Sequence, residues 1–380
     1  MSRFFVERDG ETRVRLSEGM ELTKSQSILA VVGLVVLFAV PDITRLTSLS
    51  FQAIHRGILF GLAAVGLNLL LRHTELVSFG HAAFFGVGAY GAAVLASHFD
   101  VSSGLLLLLG GVLAATTVSV LIGYFVAGYL DIYFALLTLA FNQVLYAFVL
   151  QSGYFNFSDG LSVRPDGLNP PTLFGLQWTS AGYDLILYYF TVVVLVVSLL
   201  VMWKLVNSPF GRALDAIGQN RTRARFVGIP VEKYVWVAFV ISGIYGGLAG
   251  GLFALLQLHV SPDPTLYAFV SGEILFMAIL GGFGTLVGPV VGGVVLVYML
   301  VQAPFYVEYY NALTGLLLLA VVLFLPEGIL GSIPKVGTGV ARRRRDPGLL
   351  REDVTTIGSS LRRGVTRAVT TVRIIVFGVN

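Results

Sequence analysis

The chain has 380 residues and a net charge of +4; 56% are hydrophobic, only 12% are charged and none is cysteine. So apolar a balance excludes an ordinary soluble domain and places the chain in a bilayer. Disulfides, thiol nucleophiles and thiolate metal sites are excluded, and the five histidines (His55, His73, His81, His98, His259) show no metal-ligand spacing.

Residues 1–25 are polar and charged, which predicts an N-terminal segment outside the membrane; a signal peptide would pass from a short basic start directly into an apolar stretch. A crossing helix needs about 20 apolar residues. Ten stretches qualify: 26–44, 55–71, 78–97, 104–128, 132–151, 184–203, 234–258, 267–281, 286–303 and 311–326. The predicted fold is an all-α polytopic integral membrane protein with about ten transmembrane helices. The eighth stretch is short and shares a glycine-rich junction with the ninth, so a re-entrant pair is the alternative there. Forty-four glycines suit a tightly packed bundle, because small residues let helix backbones approach where lipid supplies no hydrophobic drive for association.

Ten crossings put the N-terminal segment, the connection 204–233 and the C-terminal tail on one side. Only Arg45, Arg56 and Arg164 then fall outside or at the outer boundary, and the positive-inside bias makes the basic side the cytoplasm. The domains are therefore a cytoplasmic segment 1–25, a membrane domain 26–330 and a basic cytoplasmic tail 331–380. The long external connection 152–183 holds Pro165, Pro170 and Pro171 among Gly, Asn and Asp residues, which is turn chemistry.

The polar island 204–233 reads KLVNSPFGRALDAIGQNRTRARFVGIPVEK and carries six of the 25 Lys and Arg residues. Ser208 offers an N-cap, Pro209 suits a first helical position, and Gly228 with Pro230 ends the element, so a helical segment is expected over 208–228. An ordinary basic loop is the alternative. The run 281–293, GGFGTLVGPVVGG, has no Lys and no GKS or GKT ending, so it is not a phosphate loop. It reads as close helix packing around a tight turn, or as a broken helix opening onto a substrate path. In the tail, the basic block 341–345 suits anionic headgroups. Ile357, Leu361, Val365 and Val369, then Val372 and Val376, recur with Arg362, Arg363, Arg367 and Arg373 between them. That is the pattern of an amphipathic helix on the membrane surface, with a solvated tail as the alternative because Gly364 and several Thr weaken the helix.

Polar side chains inside spans are costly and mark either a pathway or helix-to-helix hydrogen bonds. Asn68, Ser78, His81, Asn142, Gln143 and Glu273 are the candidates, Glu273 being the one carboxylate and lacking a partner evident in the sequence.

Residues 66–69 (GLNL) and 77–90 (VSFGHAAFFGVGAY) resemble the GLNL and SLGHAAFFGIGAY elements of the branched-chain amino acid ABC importer permeases, LivM type. Residues 133–141 (YFALLTLAF), 158–161 (SDGL), 171–176 (PTLFGL), 208–214 (SPFGRAL), 228–229 and 273–289 continue the resemblance in order, so that it covers about 55–330. The chain departs from the pattern at Arg72 and Glu75, where the family usually has Gly. It departs again at Leu130-Asp131, where Arg-Gly is common, and at Phe155-Asn156-Phe157 in place of an external TGG.

The resemblance implies a permease subunit in a prokaryotic plasma (inner) membrane, with no catalytic residue, metal or cofactor of its own. ATP and Mg would sit in two cytoplasmic ABC ATPase partners. A second homologous permease, an extracytoplasmic solute-binding protein and membrane lipids complete the expected partners, with no nucleic acid. It also implies that the island couples to the ATPases, with Ser208, Phe210, Gly211, Arg212, Asp215, Ile217, Arg223 and Gly228 as the coupling residues. The family's EAAxxxG coupling pattern survives only as Thr222-Arg223-Ala224 before Gly228. The implied substrate is a zwitterionic apolar amino acid, with urea or a short-chain amide as the runner-up. A self-contained secondary transporter would need buried ionisable pairs for ion coupling, and a membrane-embedded enzyme would need clustered Asp, His or Ser; neither pattern is evident.

Overall fold

The computed structural model describes residues 5–8, 11–17, 20–47, 49–164, 170–305 and scattered positions over 309–331, with side chains from residue 35 onward apart from 180–181. The tenth expected span, 311–326, lies mostly outside the described residues, and the basic block and repeat of the tail lie wholly outside them.

The N-terminal segment, expected only as a charged extension, forms three antiparallel strands, β1 (Phe5–Arg8), β2 (Glu11–Ser17) and β3 (Met20–Thr23), in the order β1-β2-β3. The apolar and polar residues of ETRVRLS alternate with the period of a strand, a signal that the search for apolar runs passes over. The membrane body that follows is helical: α1 (Lys24–Leu46), α2 (Phe51–His73), α3 (His81–His98), α4 (Gly104–Val126), α5 (Asp131–Gln151) and α6 (Ser180–Val206). Two short helices, α7 (Pro209–Gln219) and α8 (Arg221–Phe226), occupy the polar island. Then come α9 (Val231–Gln257), α10 (Asp263–Leu266), α11 (Ala268–Gly281) and α12 (Gly288–Gln302). Six helices among the described residues are long and apolar enough to cross a membrane: α2, α4, α5, α6, α9 and α12 with its following turn.

Helix α2 is the axis of the body and is buried over most of its length, packed on α9, α11 and α12. Glycine sets the spacing. A methyl group at Gly57 would lie 2.6 Å from the Val294 Cα, and one at Gly61 would lie 2.7 Å from the Val290 Cα, so α2 and α12 touch backbone to backbone. Gly88 of α3 meets Gly247 of α9 in the same way, and a methyl at Gly250 would run into the Phe85 carbonyl. Outside this core, α4, α5 and α6 show broad apolar faces, including Leu113, Leu121, Leu136, Val144, Val193 and Val197. Such faces suit lipid or another hydrophobic chain.

Helix α11 has 14 residues, a length of about 21 Å at 1.5 Å per residue, short of the roughly 30 Å hydrocarbon core. It turns back into α12 through 282–287, where Gly282 has φ +107°, a backbone that favours glycine. The eighth and ninth stretches thus form a tight hairpin. Opposite it, the turn at Asp159-Gly160 leads into β4 (Leu161–Ser162), which pairs antiparallel with β5 (His259–Val260) and ties the connection after α5 to the end of α9.

A side chain at these glycines must push helices apart. Gly61→Leu should destabilise the folded chain by about 1–3 kcal/mol, seen as a lower melting temperature in detergent, whereas Gly272→Ala, with open space around it, should leave melting unchanged.

Candidate functional site

The polar island begins as its sequence predicts. Ser208 accepts the backbone N–H groups of Phe210 and Gly211 at 3.2 and 3.5 Å and donates to the Leu205 carbonyl at 2.6 Å, while Pro209 opens α7. It ends as predicted too. The Gly228 N–H reaches the Arg225 carbonyl and the Ile229 N–H the Ala224 carbonyl, at 2.9 and 3.0 Å, with Gly228 at φ +88°; this is the glycine-terminated helix end in which both orphan carbonyls are satisfied. Between these points the expectation of one element over 208–228 is corrected. Asn220 is extended (φ −165°, ψ 103°) and its side chain accepts the Arg223 N–H at 2.8 Å, so it closes α7 and caps α8.

One face of the pair is fastened to the body. Gly211, Leu214 and Ile217 are buried, and Phe210 stacks on Tyr234 at the start of α9, ring centroids 5.4 Å apart. Asp215 accepts a hydrogen bond from His73 Nδ1 at 2.5 Å, joining α7 to the last residue of α2. Arg221 donates to the Thr74 carbonyl at 3.4 Å. Burial lowers the Arg221 pKa, and the charge of Asp131 at the start of α5 acts against that loss. Arg225 pairs with Glu232.

The other face is open. Arg212 and Arg223 are exposed, and Phe226 and Val227 are 87% and 74% exposed at the end of α8. Of the eight residues expected to couple, the structure therefore places Ser208, Phe210, Gly211, Asp215 and Ile217 in capping or anchoring contacts. It leaves Arg212, Arg223 and Gly228 exposed, as it does Phe226, a large apolar side chain at the end of α8.

The polar residues inside the spans do not converge on one point. Ser78 and His81 come together: the buried His81 ring lies 3.2 Å from the Ser78 hydroxyl and 2.6 Å from that of Ser242 in α9. A neutral imidazole can donate to one and accept from the other. Asn68 donates to the Thr285 carbonyl in the α11–α12 turn at 3.2 Å, and Asn142 to the Leu266 carbonyl at 3.1 Å; each leaves its amide oxygen buried without a partner. Gln143, next to Asn142, is exposed. Glu273 of α11 is half-buried, and the Arg56 guanidinium of α2 is the charge that acts on it, with no ion pair between them among the described residues; Arg56 also lies 5.6 Å from the Phe253 ring centre. Arg56 sits near the start of α2, among its first two turns. No cluster of three or more metal-ligating side chains occurs among the described residues.

These features sit in a body of long apolar helices, and comparison with known sequences places the chain. Residues 49–325 match the family described as "Branched-chain amino acid transport system / permease component". The chain belongs to that family. It is 28% identical over 287 residues to the high-affinity branched-chain amino acid transport system permease protein LivM of Escherichia coli K12, covering 70% of this chain and 66% of LivM. To LivH of the same organism it is 24% identical over 296 residues, covering 74% of this chain and 94% of LivH. A shorter match, 30% over 138 residues and 34% of this chain, is to the autoinducer 2 import system permease protein LsrC of Photorhabdus laumondii. The matched stretch thus spans slightly under two thirds of LivM, and no solved structure matches the chain.

Two of the departures noted in the sequence carry a backbone cost: Glu75 and Asp131 both lie in the left-handed region, at φ 55° and 47°. That backbone costs an L side chain roughly 1–2 kcal/mol. The charge of Asp131 acts on the half-buried Arg221, a reason for a charged residue there that Glu75, exposed on the surface, lacks. Glu75→Gly should therefore stabilise this permease by about 1 kcal/mol, measured as a raised melting temperature of the purified chain.

Proposed function

We propose that this chain is one permease subunit of an ATP-driven importer of branched-chain or related apolar amino acids in a prokaryotic inner membrane. It works beside a second homologous permease, over two cytoplasmic ATPases and beneath an extracytoplasmic solute-binding protein. In this reading the chain binds no cofactor; ATP and Mg belong to the ATPases. The membrane domain crosses about ten times with both termini in the cytoplasm, and the basic tail lies along the inner leaflet. Whether α11 and α12 cross fully or enter and leave by one face, they add an even number of passages, so the placement of the basic segments is the same.

The observation that carries the reading is the α7–α8 pair. It is capped at both ends and anchored to α2 and α9, yet presents exposed Phe226 and Val227 flanked by Arg223 and Arg225. A rigid element with an apolar tip in a cationic rim has the make-up of an interface core with its polar surround. On this reading Arg212, Arg223 and Phe226 contact the ATPase, while Asp215 and Arg221 carry its motion to the body. The family relation weighs against a self-contained secondary transporter.

Proteoliposomes holding the permeases, ATPases and binding protein should take up leucine only when ATP is inside with the ATPases. Changing Phe226 and Val227 together to Asp should cut ATP-driven uptake about ten-fold or more at an unchanged melting temperature; undiminished uptake would reject the docking assignment.

A further inference from the structure

Helix α5 is the least enclosed of the six long apolar helices among the described residues: 22% of its most apolar 18 residues are buried, against 33% or more in the other five. Its inward side is Phe134, Thr138, Asn142 and Val149. Its open side carries Tyr133, Leu136, Ala140, Gln143, Ala147 and Gln151, all exposed except the half-exposed Ala147. From Tyr133 to Ala147 the steps alternate between three and four residues, which is the 3.5-residue repeat of a seam between packed helices.

Two features of this stripe fit a protein neighbour better than hydrocarbon. Gln143 stands eight residues before the end of α5 at Gln151, about 12 Å inside the helix, and its exposed amide makes no hydrogen bond among the described residues. Acyl chains offer an amide neither donor nor acceptor, and polar side chains at such depth face protein or a water-filled cavity. Ala140 and Ala147 put little side chain between α5 and its neighbour, which permits a close approach. Toward Gln151 the surface sinks into a shallow hollow of about 390 Å³, lined by Val144, Ala147, Phe148, Gln151 and Ser152, with room for a neighbour's side chains. The open faces of α4 and α6 differ. On α6 the exposed residues inside the span are Val193, Val197, Leu200 and Val201, and on α4 Thr117 satisfies itself by donating to the Leu113 carbonyl of its own helix at 2.9 Å.

We propose that the Tyr133–Gln151 stripe of α5 is the surface on which the second permease packs, with Gln143 hydrogen-bonded across the seam to a polar side chain of that subunit. This deepens the proposed function and rests on it, because that reading supplies a homologous partner in the same bilayer. Two homologous permeases close about an approximate two-fold axis, and α4 and α6 are left to face lipid. In this assignment Gln143 selects the partner and sets the register, as a single polar group does in a coiled-coil seam, and does not touch substrate.

The test uses the complete transporter in its native membrane. A genetically encoded diazirine side chain at Leu136 or Val144 should, on irradiation, give a product in which mass spectrometry finds the second permease, whereas the same group at Leu113 or Val197 should give lipid adducts alone. Gln143→Leu should lower the amount of second permease that co-purifies with this chain about three-fold, and Ala140→Trp about ten-fold or more, each at an unchanged melting temperature of the purified chain. Because the chain has no cysteine, Gln143→Cys gives a single thiol, which should be shielded from a membrane-impermeant reagent. Cross-links to the second permease from Leu113 or Val197 in place of Leu136 and Val144, only lipid adducts from α5, a product holding two copies of this chain, or full labelling of the thiol overturns the assignment while the permease pair stands. If no homologous permease accompanies this chain from the membrane, the proposed function itself fails and this surface with it.

Discussion

Backbone contact through glycine is the interaction on which the body of this permease depends. In a bilayer, apolar side chains gain nothing by leaving lipid for one another, so helices associate through close packing and hydrogen bonds. The chain meets that condition where Gly57 and Gly61 of α2 lie on the α12 backbone and where Gly88 of α3 lies on Gly247 of α9. Removing the side chain at these points lets the neighbouring helices come near enough for many weak dispersion contacts to accumulate. It also explains why α2 can be buried along most of its length with little amphipathic pattern: it has neighbours on every side.

Tight packing in turn decides how the irregular segments survive. Non-helical backbone inside a membrane must find its hydrogen bonds within the protein. Between α2 and α3, the Phe79 N–H is taken by the Thr138 hydroxyl at 3.2 Å, the Gly80 N–H by Ser78 at 3.3 Å and the Ala82 N–H by Ser271 of α11 at 2.8 Å. In the α11–α12 turn, Thr285 accepts the Gly288 N–H at 3.0 Å and offers its own carbonyl to Asn68. Several polar residues that look like pathway candidates in an apolar sequence are thus occupied in closing broken helices. Asn68 and Asn142 each still hold a buried, unpaired amide oxygen after their one bond.

The legible parts of the sequence were those written locally. Apolar run length placed a helix at each of the first nine expected stretches, and the Ser-Pro start and Gly-Ile-Pro stop marked the bounds of the island to within a residue or two. Where one residue does two things, local reading blurred: Asn220 ends one helix and caps the next, which split the expected single element. Pairings between distant residues were not legible at all. His73 lies 142 positions before Asp215, and Tyr146 lies 117 before Asp263, and nothing in composition or period links them. The strands at the N-terminus were missed because alternation was not sought in a segment read only for charge.

The island touches the body at a mechanically particular place. His73, bonded to Asp215, is the last residue of α2, and Thr74, whose carbonyl receives Arg221, is the first residue beyond it. Both contacts therefore act on the junction between a rigid helix and the non-helical segment 74–80. Displacing a helix interior would strain a ladder of backbone bonds, whereas displacing this junction bends a segment whose N–H groups at Phe79 and Gly80 are held by side-chain acceptors. The far end of that segment carries Ser78 and His81, and through Ser242 it reaches α9, which also begins at the island by way of Tyr234 stacked on Phe210. If the ATPases move α7 and α8 as proposed, force enters α9 twice, directly at its first turn and indirectly through the α2–α3 break. The two routes close a loop of contacts around one buried histidine, which makes His81 a point where the motions of α3 and α9 must agree.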